Sequence, residues 1–153
     1  MGTLAAMFNK NLINLYDSDV LMWSKQQSAL IREGSFSEVD WQNVAEEIQD
    51  VGRSAERDFA KRLADLVALL LELDYSDKGD KTLPGRIELA KKTASRIVLR
   101  TPSFSEMLES EDWQESIFGD GMLLASQRAG IEMNIFPEKP IWNLKELLSG
   151  SRS

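Results

Sequence analysis

Glu46, Glu47 and Asp50, in the stretch "EEIQD", are a set of side chains able to do chemistry at this spacing. Carboxylate oxygens at such helical spacing suit a magnesium ion, which needs no imidazole. Glu109 with Asp112 would supply a second half of the same site. Other chemistry is limited by composition. With no His and no Cys, the chain has no thiolate nucleophile, no disulfide, no Cys or His zinc site and no His-based triad. Carboxylates, Lys, Tyr, Ser and Thr remain. A plainer reading of the same carboxylates is a solvated helix face. Glu46 and Asp50 point away from the apolar stripe marked by Ile48, and Glu47 flanks it. Asp50 with Arg53, and Asp58 with Arg62, stand at helical pairing distance.

A second group is Trp23, Gln27, Arg32, Asp40 and Trp41. Gln27 falls on the apolar stripe of the first helix, and a buried amide must find partners. A helix end or Arg32 would serve. The group reads first as a structural polar network and second as a ligand pocket. A third group is basic. Arg86, Lys91, Lys92, Arg96 and Arg100 are interrupted by one acid, Glu88, and the next segment, Ser103 to Asp120, carries acids and no base. Lys92 and Arg96 face outward and are the candidates for binding an anion or nucleic acid. The competing reading is two consecutive helices with complementary flanks. A net charge of −7 and a pI near 4.7 argue against non-specific binding to nucleic acid or anionic lipid.

These residues must be positioned by helices. At 153 residues the chain is expected to form one domain over residues 16–149, after a loose segment 1–15 and before a tail 150–153. The first helix starts near Asp17, with Asp17 or Ser18 as cap and Asp19 in the first turn, and Gly34 closes it. Asp40 caps the second. Its apolar series is Trp41, Val44, Ile48, Val51, Ala55, Phe59, Leu63, Leu66, Leu70 and Leu73, always in steps of three or four. The phase is unchanged across Gly52, so one helix over about 41–73 is predicted. Close approach of another helix is the expected compensation for that glycine, and Gly52→Leu is then expected to overpack. The second half of this helix is apolar nearly all round and is expected to be the hub.

A third helix begins near Thr82, with Pro84 in its first turn, and stops at Thr101–Pro102. Ser103 with Glu106 reads as a capping box for a fourth, with a break placed near Ser110 and a C-cap at Gly130. Residues 131–142 read as an extended crossing, and Asn143 with Glu146 opens a last short helix. The expected class is all-α, an antiparallel helical bundle of four main helices with a short C-terminal helix. No leader or lipidation pattern is visible. "LADLVALLLELDY" is too short to span a bilayer and contains Asp65 and Glu72. A cytoplasmic location without membrane contact is expected.

Two resemblances bear on function. "EEIQD" resembles half of the magnesium site of all-α nucleotide pyrophosphohydrolases, although Asp50 departs from that pattern and some sixty residues separate it from Glu109. The segment from Tyr16 to Ser54 resembles the head of a bacterial, largely cyanobacterial family known as domain of unknown function twenty-nine. The matching positions are Tyr16, Asp17, Asp19, Trp23, Gln27, Leu30, Arg32, Phe36, Asp40, Trp41, Ala45, Glu46, Glu47, Ile48 and Gly52. The likeness continues through "TPSF" to the close "FPEKPIWNLKELL". Phe118 stands where that family has Tyr, and Gly121 where it has Ala, which implies a weaker fourth helix here. The resemblance implies an all-α fold and supplies no catalytic residue. With no nucleophile–base pair and no phosphate loop, the expected role is a non-enzymatic protein-interaction module without a cofactor. A homodimer through a leftover apolar face is one form of it. The alternatives are a magnesium-dependent phosphate hydrolase and an anion binder.

Overall fold

The computed structural model describes residues 15–150, and among them there are helices and turns but no strand. The helices are α1 (Val20–Glu33), α2 (Trp41–Tyr75), α3 (Leu83–Arg100), α4 (Phe104–Met107), α5 (Glu111–Ala129) and α6 (Leu144–Ser149), with single 3-10 turns at Phe36–Glu38 and Met133–Ile135. The class is all-α, with four long helices and a short C-terminal one, as the periodicity predicts. No helix of the described residues is long and apolar enough to cross a membrane. The expectation of a loose segment at residues 1–15 falls, but for Leu15, outside the described residues, as does the tail beyond Gly150.

The ends of the helices follow local chemistry, with two corrections. Asp19, rather than Asp17 or Ser18, caps α1: its Oδ1 accepts from the Met22 amide at 2.9 Å. Residues 15–18 form a separate helical turn before it. Gly34 closes α1 in the left-handed region at φ 79°, which costs glycine nothing and places two amides on the Leu30 and Ile31 carbonyls. The expected capping box at Ser103 does not form; Ser103 makes no side-chain cap bond. Ser110 takes that role instead, in extended conformation, accepting from the Trp113 amide at 3.4 Å. The fourth helix is therefore two pieces, α4 and α5, parted at the break placed near Ser110. At α3 the organiser is Asp80, whose Oδ1 accepts from both the amide and the hydroxyl of Thr82, at 2.8 and 2.6 Å. Those bonds hold the Asp80 carboxyl below its ordinary range.

The chain divides into two compact units, residues 1–54 and 55–153. In the second unit α2 supplies the core. Phe59, Leu63, Leu66, Val67, Leu69 and Leu71 are all buried. One side of the helix meets Ala94, Phe104, Leu108, Ile117, Phe118 and Ala125, together with Ile131, Phe136 and Leu144 from the last part of the chain. Another side, through Leu66 and Leu69, meets Leu83 and Ile87 of α3. Phe59 stacks on Phe104 with centroids 4.5 Å apart. α3 also packs on α6, where the Ser95 hydroxyl donates to the Leu148 carbonyl at 3.0 Å.

The structure corrects one reading of Gly52. The helix does run unbroken through it, as the phase requires. Its expected helical neighbour is absent among the described residues: a Cβ built on Gly52 meets nothing within 4 Å. Ile48 and Val51 are 67% and 72% exposed, so the first half of the stripe is uncovered. Overpacking by Gly52→Leu therefore has no basis among the described residues. The glycine that permits close approach is Gly121 on α5. A Cβ there would stand 2.7 Å from the Val67 Cβ and 3.1 Å from the Ala64 carbonyl oxygen. Gly121 thus seats α5 on α2 rather than weakening it. Gly121→Ala is expected to lower stability by about 1–3 kcal/mol through overpacking. Adding Val67→Ala should make the pair less damaging than the sum of the two single changes. Urea denaturation checks both; an unchanged midpoint for the single variant would contradict the packing.

Candidate functional site

In the first unit the polar candidates gather around the start of α2. Trp23 and Gln27 lie one turn apart on α1 and are 3% and 2% exposed. Both reach Asp40, the residue before α2. The Trp23 indole Nε1 donates to Asp40 Oδ2 at 3.3 Å, and the Asp40 amide donates to Gln27 Oε1 at 2.8 Å. Asp40 in turn accepts from the Asn43 side chain at 2.7 Å and from the Asn43 amide at 3.4 Å. The carboxylate therefore caps α2 while anchoring it to α1, and the expected helix-end partner of Gln27 is the Asp40 amide, not Arg32. Arg32 is exposed. Gln27 Nε2 is buried without a hydrogen-bond partner among the described residues.

Trp41 lies outside this cluster. It is half exposed, donates from Nε1 to the Phe36 carbonyl at 2.9 Å and leans on the Phe36 ring, 6.3 Å between centroids. Tyr16 completes the network from the other end. Its ring meets Trp23 edge-on at 4.8 Å, and its hydroxyl donates to Glu47 Oε1 at 2.9 Å.

Glu46 and Asp50, set apart as metal ligands in the hydrolase reading, face Arg53 instead. The guanidinium stands 2.9 Å from Asp50 and 3.7 Å from Glu46. Glu47 is engaged by Tyr16. In the second unit Glu109 pairs with Lys145, and Asp112 lies in the first turn of α5. Among the described residues no group of three or more acidic or other metal-binding side chains is placed to hold an ion. At the spacing that suggested a magnesium site, Asp50 and Glu46 meet Arg53.

Lys92 and Arg96 are exposed on α3, as expected. The cations that do converge are others. Lys61 and Arg62 of α2 and Arg86 of α3 line an open groove of about 400 Å³ floored by Leu69 and Ala90, with Leu89 and Thr93 at its side. Asp65 also lines it, but that carboxylate is bound by Arg128 at 2.6 Å. Reading charge along α3 alone misses this convergence, because two of the three cations come from another helix.

The Tyr16–Glu47 bond has a titration signature. The hydrogen bond to the carboxylate, followed by burial and the nearby charges of Glu47, Asp50 and Glu46, raises the phenol above its ordinary value of 10.0. The bond's contribution to stability is therefore complete below the unfolded tyrosine pKa and is lost as pH rises through the higher folded value. In a Tyr75→Phe background, an absorbance titration should place the Tyr16 midpoint above 10. Glu47→Gln should bring it down; a midpoint unmoved by that change would contradict the contact.

No curated protein and no solved structure matches the chain. One family does: the model of the domain of unknown function DUF29 matches residues 15–151. That span takes in both the Trp23–Asp40 anchor and the hub of the second unit, and the chain belongs to the DUF29 family.

Proposed function

We propose that the chain is a non-enzymatic protein-interaction module whose contact surface lies on the first unit. The observation that carries this is the uncovered apolar face of α2, where Ile48 and Val51 stand one turn apart and largely in water. Val20, Leu21, Met22 and Phe36 of the same unit are also more than half exposed, whereas the buried apolar side chains among its described residues are Trp23 and Val39. Single exposed apolar residues are ordinary, but a concentration of them marks an interaction surface. The carboxylates beside the face are occupied by Arg53 and Tyr16, which favours a contact surface over a reaction centre.

The test is a photo-crosslinking amino acid at position 51 in the native cell, with position 26, on the polar side of α1, as control. Discrete protein adducts are expected from 51 and not from 26, and they should disappear with Ile48→Asp while helicity is unchanged. No adduct at 51, or equal adducts at both positions, would contradict the reading.

A second reading, binding of a small anion, is favoured by the convergence of Lys61, Arg62 and Arg86 on one groove. Calorimetric titration with inorganic pyrophosphate at low salt tests it. Binding heat that Lys61→Ala with Arg62→Ala removes would support this reading, and no heat would dismiss it.

A further inference from the structure

We infer that the groove between α2 and α3 takes an elongated organic dianion, with an anionic group at each end and an apolar body between them. The inference rests on the anion-binding reading of this groove and names the class of anion. All the lining residues belong to the second unit. On α2, Lys61, Arg62, Asp65 and Leu69 recur at helical spacing and share one face. On α3, Arg86, Ala90 and Thr93 do the same. α3 runs back along α2 after the short connection 76–82, so Thr93 lies beside the Lys61–Arg62 end and Arg86 beside the Leu69 end. The cations therefore stand at the two ends of the floor that Leu69 and Ala90 make. From Lys61 to Leu69 the helix rises about 12 Å.

Charge and volume narrow the ligand. Among the described residues Lys61 and Arg62 make no ion pair; the Asp58–Arg62 pairing that helical spacing allows does not form. At the other end the half-exposed Arg86 guanidinium has one loose partner, Asp80 at 3.7 Å. Asp65, the one carboxylate of the lining, is held by Arg128 at 2.6 Å. Each end can therefore take an anionic group through charge-assisted hydrogen bonds. A mineral anion would use one end and leave the floor bare. An apolar body over Leu69 and Ala90 adds the withdrawal of apolar surface from water. The volume of about 400 Å³ lies in the range of small-molecule sites, roughly 300–1,000 Å³. An α-helix with its side chains is about 10–12 Å wide, and over the same length it fills more than about twice that volume. The groove thus favours a small dianion over an acidic peptide helix.

Calorimetric titration of the full chain at low salt tests this, with inorganic pyrophosphate, butanedioate, decanedioate and decanoate as probes. Decanedioate is expected to bind about tenfold or more tighter than butanedioate, which is too short to reach both ends, and than decanoate, which is anionic at one end. Arg86→Ala should make decanedioate and decanoate equal. Lys61→Ala with Arg62→Ala should remove binding of all four. Ala90→Leu should fill the floor, cancel the advantage of decanedioate over butanedioate and leave pyrophosphate bound. Circular dichroism shows whether each variant keeps its helices. Arg86 is exposed, so its replacement tests the inference even where Ala90→Leu does not fold. Decanedioate no tighter than butanedioate, or no tighter than decanoate, would overturn the inference; if pyrophosphate still binds, the anion reading survives without it. No heat with any of the four would overturn both. A short polyglutamate that binds more tightly than decanedioate would also overturn the inference, in favour of an acidic polypeptide.

Discussion

Phe59, Leu63, Leu66, Val67, Leu69 and Leu71 are withdrawn from water on more than one side of a single helix. At roughly 1.5–3 kcal/mol for each large side chain fully buried, this is the main favourable term of the second unit. It can be realised only if other elements cover several faces of α2 at once. That requirement explains why α3, α5 and the segment through Phe136 and Leu144 all converge on the same few turns. It also explains Gly121: α5 can reach α2 beside Val67 only where it has no side chain. Arg128 at the end of α5 then ties Asp65 and the buried Glu72 to the same helix, at 2.6 and 3.9 Å. A buried carboxylate left without such a cation would be strongly destabilising.

The first unit is organised by different physics. Among its described residues it buries few apolar side chains, and a set of hydrogen bonds around one helix start stands in their place. Asp40 does two jobs: as an N-cap it satisfies the first turn of α2, and through Trp23 and Gln27 it holds α1 against that turn. Bonds of this kind contribute about 1 kcal/mol each when made and cost more when broken in a buried place. They fix the geometry of the hairpin with high specificity and leave its outer apolar face uncovered. A unit that uses polar anchors internally and presents Ile48 and Val51 outward is suited to contact.

Much of this was legible in the sequence, because helical phase and capping chemistry are local. The unchanged three-four step across Gly52 correctly announces one helix, and Asp40, Gly34 and Gly130 mark the ends they mark in the structure. Gln27 on an apolar stripe implies a partner at a helix end or at Arg32, and the partner found is the helix end, at the Asp40 amide. The all-round apolar second half of α2 correctly implies a hub. What periodicity lacks is any statement of what lies opposite a stripe. Val51 and Leu63 belong to one series; the first is bare and the second fully buried. The same limit exchanged the roles of Gly52 and Gly121, since close approach is a property of two helices. Ser103 and Ser110 both fit a cap, and the choice between them depends on how Phe104 and Leu108 enter the core. The basic groove was hidden because Lys61 and Arg62 are far in sequence from Arg86.

The central claim is that α2 is one continuous helix with two regimes, a covered stretch from Phe59 to Glu72 and an uncovered one before Ala55. Residue-resolved amide hydrogen exchange at concentrations where the chain is monomeric tests this most directly. The account predicts that amides of residues 59–72 exchange only through global unfolding, while those of residues 46–54 exchange through local opening many times faster. Uniform protection along the whole of α2 would show that a cover exists over its first half and would contradict the account.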